Sequence, residues 1–150
     1  MQLLLIIDPY IMCVKKINAK GSPEEKHMEE KEMKMREEYT CPLELTHDII
    51  KGKWKPIILW QLSEGARSLS SLKKEIKGIS QKMLIQHLSE LHSSGAVGKT
   101  IYEGYPLKVD YFLTGRGKKI FEAVSIMQSV GIEMMLEDGK ENFLKEKGLL

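Results

Sequence analysis

The stretch GISQKMLIQHLSELHSSGAV, residues 78–97, decides the fold. Leu84, Leu88 and Leu91 recur at i, i+4 and i+7, so one face of a helix is apolar. Ser80 stands just before it, a residue type whose hydroxyl accepts from the free amides of a helix start. The other face is unusual. It carries Ser80, Gln81, Lys82, Gln86 and Ser89, mostly uncharged hydrogen-bonding groups where a solvated face is ordinarily rich in Glu and Lys. A helix that enters the major groove of DNA needs this surface. Amide side chains read adenine, lysine reads guanine, serine reads either, and an apolar group such as Ile85 suits a thymine methyl. Carboxylates there would be repelled by phosphates. The bland alternative is an ordinary exposed helix that happens to be rich in Gln and Ser.

The flanking sequence favours the groove-binding reading. Upstream, residues 41–52, 53–65 and 68–78 each carry helical spacing of apolar residues. Pro56 sits near a first turn, where a missing amide costs little. The third of these helices is joined to the quoted one by Lys77-Gly78-Ile79. Downstream the period changes. VGKTIY (97–102) and LKVDYFL (107–113) alternate and are rich in β-branched and aromatic residues, with EGYP between them, which predicts a hairpin. Residues 114–136 return to helix, with Thr114 as a cap. Four helices, a hairpin and a helix predict a mainly α chain with a β-hairpin wing, an α+β winged helix-turn-helix. Lys73, Lys74 and Lys77 before the quoted helix, and Lys99, Tyr105 and Lys108 on the hairpin, are the expected DNA-backbone contacts. Each alone is also ordinary surface charge. The last helix carries Ile120, Val124, Met127 and Val130 on one broad apolar face. A face that broad predicts a dimer interface, with burial against the chain's own core as the alternative.

The whole chain sets bounds. Its 150 residues favour one domain with extensions. Residues 41–125 carry 13 Lys/Arg against 8 Asp/Glu, a net of +5, while the flanks are mildly acidic. A basic centre suits an anionic partner such as double-stranded DNA. Two cysteines, Cys13 and Cys41, are too few for a secreted disulfide framework, so a reducing cytoplasm is expected. No run is long and apolar enough to span a membrane, and the apolar start is broken by Asp8-Pro9. Residues 1–38 divide into that start, a linker-like stretch and a Glu/Lys-rich segment that is either a solvated helix or disordered. Each of Met28, Met33 and Met35 within it could serve as a start, and this extension is expected to be peripheral. Residues 39–136 are the expected DNA-binding domain with its terminal dimerisation helix, and 137–150 a tail. His27, His47, His87 and His92 make no metal spacing with the cysteines, so no metal or other cofactor is expected. Trp54 and Trp60 fit core anchors better than ligand platforms.

Four blocks of the sequence resemble the HxlR family of bacterial winged-helix regulators. They are CPLE with the following GKW (Cys41–Glu44, Gly52–Trp54), GISQKML (Gly78–Leu84), YEGYPLKVDYFLT (Tyr102–Thr114) and Gly117. Their order and spacing match over roughly residues 39–135. The resemblance implies a homodimer, built from helices flanking the winged core, that binds inverted repeats and has no enzymatic activity. It departs at His87, where the family commonly carries Arg for a phosphate contact, and at Val130, where an aromatic is common. Cys41 occupies the position where several members carry a sensor thiol, and an inert, half-buried thiol is the alternative.

The expectation is a sequence-specific transcriptional regulator, a repressor acting as a homodimer, with Ser80, Gln81, Lys82, Ile85, Gln86 and Ser89 reading bases. His87 joins the backbone contacts in that reading, and Cys41 confers a response to oxidants or electrophiles. The competing class is a winged-helix module for protein contact without specific DNA binding. A small thiol enzyme using Cys41 ranks last, because the sequence offers no convincing base or phosphate loop. No effector can be named from these residues.

Overall fold

The computed structural model describes residues 36–150, so readings that fall on residues 1–35, Cys13 and His27 among them, lie outside the described residues. The elements are α1 (Pro42–Ile50), α2 (Trp54–Ser63), β1 (Arg67–Ser68), α3 (Leu69–Glu75), α4 (Gln81–Ser93), β2 (Val97–Tyr102), β3 (Lys108–Leu113), α5 (Gly115–Glu137) and α6 (Glu141–Glu146). The three strands form one antiparallel sheet in the order β1-β3-β2. The hairpin runs in register from Val97↔Leu113 to Tyr102↔Lys108. β1 adds only Arg67↔Tyr111 and Ser68↔Asp110, which ties the hairpin to the connection between α2 and α3.

Local chemistry sets the helix starts. Ser68, Ser80 and Thr114 each have extended backbone, and each hydroxyl accepts from the amide three residues on, those of Ser71, Met83 and Gly117. Pro42 opens α1 where its missing N–H is harmless. α4 ends at Gly95 with φ +75°. The amides of Gly95 and Ala96 return to the carbonyls of His92 and Leu91 at 2.9 and 3.0 Å. That is the left-handed closure for which glycine is suited.

One core joins these elements. Ile58, Leu59 and Leu62 of α2 meet Leu72 and Ile76 of the α3 region, Leu84, Leu88 and Leu91 of α4, Val97, Leu113, and Val124 of α5. Trp54 and Trp60 pack against it, and Trp60 meets Phe121 at a centroid distance of 5.4 Å. The turn after α4 is tied to the start of α5. The Thr114 hydroxyl donates to the Gly95 carbonyl at 2.6 Å, and Arg116 Nη1 donates to the Ser94 carbonyl at 2.6 Å. A Cβ on Gly117 would stand 2.0 Å from the Ala96 carbonyl oxygen, so this close approach demands glycine. The orientation of the hairpin relative to α4 is thereby fixed by backbone contact.

Two expectations about the carboxy-terminal third are corrected. Val124 is buried in the chain's own core and Ile120 packs against that core, so neither belongs to a free interface. Met127 and Val130, one to two turns later, are exposed. The reason is direction: residues 124, 128, 131 and 135 share one covered face of the helix, and Met127 and Val130 stand off that face. The segment expected to be a tail includes α6, whose Leu144 is fully buried.

Candidate nucleic-acid interface

α4 is built to show one row of polar groups. Its inward side is fixed by Leu84, Leu88 and Leu91, all buried. Lys82, Gln86, Ser89 and Ser93 recur at i, i+4, i+7 and i+11, and so run along the opposite side. Gln81 and Lys82 are exposed in the first turn, which holds no acidic residue. Ile85, Gln86 and Ser89 are half-buried. Ser80 spends its hydroxyl oxygen on the Met83 amide at 3.1 Å, so its first duty is the cap. The amides of the first turn and the partial positive charge of a helix start favour an anion such as a phosphate.

Exposed lysines stand on the elements before and after α4. Lys73 and Lys74 lie in the last turn of α3, and Lys77 follows in the connection, all three exposed. Lys99 projects from β2 and is exposed. Lys108 opens β3, pairs with Asp110 at 3.2 Å and lies over the Tyr102 ring at 4.9 Å from its centroid. Its side chain remains well exposed. Tyr105 at the hairpin tip is fully exposed.

His87 corrects the expectation made for it. It points inward from α4, and neither ring nitrogen is exposed or hydrogen-bonded, so it offers nothing to a phosphate from this position. The burial follows from sequence spacing: His87 shares the inner side of α4 with Leu84, Leu88 and Leu91.

The structure adds a pair that sequence reasoning missed. Lys55 of α2 meets Glu90 of α4 at 2.8 Å, with side-chain exposures of 3% and 15%. Glu90 Oε1 also accepts from Gln86 Nε2 at 3.0 Å. Burial alone would raise the Glu90 carboxyl, but the hydrogen bonds from Lys55 and Gln86, helped by the Lys55 charge, hold it below the ordinary carboxylate value. A signal for one member, Lys55, is present in the sequence. Lys55 stands at i−3, i−4 and i−7 from Ile58, Leu59 and Leu62, so the helical period places a cation on the buried side of α2. A buried cation requires an acid.

Cys41 is exposed, not half-buried, and occupies the N-cap position of α1 with extended backbone. Two turns further along α1, Asp48 is buried and takes Arg36 at 3.0 Å and Lys51 at 3.4 Å. Burial pushes the Asp48 carboxyl up; the charges and hydrogen bonds of Arg36 and Lys51 outweigh it and hold the group below its usual range. Among the described residues no group of His, Cys, Asp and Glu is arranged to hold a metal ion, and no helix is long and apolar enough to cross a membrane.

Two short helices, the second with a polar outer row, and a hairpin tied to its end that carries Lys99 and Lys108 define a winged helix-turn-helix DNA-binding protein. Residues 49–138 match the model of the HxlR-like helix-turn-helix, and the chain belongs to that family of transcriptional regulators. YkvN of Bacillus subtilis, an uncharacterised HTH-type transcriptional regulator, is 43% identical over 82 residues, 55% of this chain and 70% of that one. Among solved structures, the redox regulator HypR in its oxidised form is 34% identical, with a TM-score of 0.59 over 62% of this chain and 96% of that one. Diamide-treated YodB from B. subtilis is 28% identical, with a TM-score of 0.55 over 64% of this chain and 96% of that one.

Proposed function

We propose that this chain is a repressor that binds, as a homodimer, an inverted-repeat operator through α4, with the hairpin bracing the backbone. The observation that carries this reading is the outer row of α4. It is polar and free of acidic groups, and exposed lysines stand on the elements before and after it, α3 and the hairpin. Gln81, Lys82, Ile85, Gln86 and Ser89 read base edges, and Ser80 contributes from the cap. Lys73, Lys74, Lys77, Lys99, Tyr105 and Lys108 meet sugar and phosphate. The second half of α5, with exposed Ile126, Met127, Val130 and Met134, packs on its copy in a partner subunit. Two copies of α4 then enter successive major grooves, with half-sites about one helical turn apart. This activity needs no catalytic step, no cofactor and no membrane, and it belongs in the cytoplasm.

A titration against a labelled duplex from upstream of the protein's own gene tests this reading. An unrelated duplex of equal length runs beside it, each at two salt concentrations. Tight, sequence-dependent binding that survives the higher salt is the expected result. Equal, weak binding that collapses with salt would mean general electrostatic attraction only and would favour a protein-contact role for the module.

The same chain is proposed to respond to oxidants through Cys41. Its thiol is exposed at the mouth of α1, and the chain is similar to HypR, a redox regulator seen in oxidised and reduced forms. Cys41→Ser is expected to keep operator binding and lose any response to oxidant. An unaltered response in that variant would remove Cys41 from the account.

A further inference from the structure

The contact between Gln86 and Glu90 has a chemical direction. An ionised carboxylate only accepts, so Glu90 Oε1 takes a hydrogen from Gln86 Nε2, at 3.0 Å. Turning the Gln86 amide over would set two oxygens against each other. The carboxylate is held in its turn: its other oxygen, Oε2, lies 2.8 Å from Lys55 Nζ, and Lys55 only donates. The Lys55 side chain is 3% exposed and comes from α2, so it anchors Glu90 to the core and not to solvent. A line of fixed polarity therefore runs from α2, through Glu90, to an amide on the outer row of α4. What Gln86 keeps for an outside partner is its Oε1 and one N–H.

We propose that Glu90, held by Lys55, is a positioning residue that fixes the donor–acceptor order of Gln86 and so sets a preference for adenine at one base pair of each half-site. The proposal rests on the placement of α4 in the major groove. Adenine offers the N6 donor and the N7 acceptor side by side, and a glutamine amide matches them in one order only. An amide free to turn over would accept other bases at that position. The same pair answers an electrostatic need: Glu90 is the acidic residue of α4, and Lys55 balances its charge beside a surface that must receive phosphates.

The test is selection from a randomised duplex library by the full chain and its variants. The wild type is expected to select adenine at one position that Gln86→Ala leaves unselected. In Glu90→Gln, Lys55 claims the new amide oxygen and turns the new NH2 toward Gln86, which must answer with its own oxygen. The Gln86 amide is then reversed. Adenine selection at that position should fall about tenfold or more, the gain going to guanine or thymine, which present an acceptor there. In the Gln86→Ala background, Glu90→Gln should change nothing further at that position. Undiminished adenine selection by a Glu90→Gln protein that melts like the wild type overturns the proposal. If Glu90→Gln melts early, the double variant Lys55→Met/Glu90→Met removes both charges together; reduced adenine selection in it supports the proposal, and unchanged selection overturns it. A wild type that selects no sequence at all overturns the placement of α4 and this inference with it. A wild type that selects a site to which the Glu90 variants are indifferent overturns this inference alone.

Discussion

Two amphipathic helices in this molecule obey the same period and have different fates. α4 buries every apolar residue of its stripe, Leu84, Leu88 and Leu91, and leaves a polar row outside. α5 buries Val124 and half-buries Ile120, then carries Ile126, Met127, Val130 and Met134 out into solvent. The contrast separates two kinds of surface. On α4 the core is satisfied and the outer groups are hydrogen-bond donors and acceptors, suited to a polar ligand. On α5 one face meets the core and a second, apolar side beside it is left exposed, suited to another apolar surface.

The comparison can be broken at its joint. Lys55→Met strands the Glu90 carboxylate in a desolvated site, and should cost about 3–5 kcal/mol of stability in urea unfolding. A cost near zero would mean that Glu90 escapes to solvent and that α4 is not anchored through this pair. The double variant with Glu90→Met should recover most of the loss.

A smaller effect divides α5. Val124→Ala should destabilise the fold by about 2 kcal/mol, through lost burial and a residual cavity. Met127→Ser should leave the unfolding of the isolated subunit within about 0.5 kcal/mol, yet weaken self-association in sedimentation. Equal effects of the two substitutions on unfolding would erase the distinction between the halves of the helix.

The smallest effect is on pH. The folded Glu90 carboxyl lies below its ordinary value of 4.5, so the unfolded chain takes up its proton first as pH falls. The associated stability is present above that value and is lost as pH drops through the folded one. Melting of the wild type should therefore fall more steeply with acid than that of Glu90→Gln. Asp48, shifted in the same direction, is common to both proteins and cancels in the difference.

What could be read in the sequence follows from range. Caps are local, so Ser80 and Thr114 announce their helices within a few residues, and the structure places both at caps. The hairpin is announced by a change of period and has the register of six facing pairs. The outward side of α4 is legible because its inward side is. β1 is not, since two residues carry no alternation and exist as a strand only through pairing with β3. Lys55 and Glu90 lie on separate helices, and no local pattern joins them. The chemistry of His87 suggests a phosphate contact, while its spacing from Leu84 and Leu91 places it inside. The Ile120–Val130 stripe of α5 is visible as apolar, but which part meets the core depends on the face the helix turns to it, and that is a fact of three dimensions.

The central claim is that the polar, acid-free row of α4 reads bases while the surrounding lysines meet phosphates. The measurement that tests it most directly is a salt titration of Gln86→Ala and Lys108→Ala beside the wild type, on an operator duplex and an unrelated one. Gln86→Ala should cost about 1–3 kcal/mol on the operator alone and leave the salt slope intact. Lys108→Ala should weaken both duplexes alike and flatten the slope by about 1. If both variants weaken both duplexes to the same degree with the same change of slope, the division of labour between row and rim is wrong.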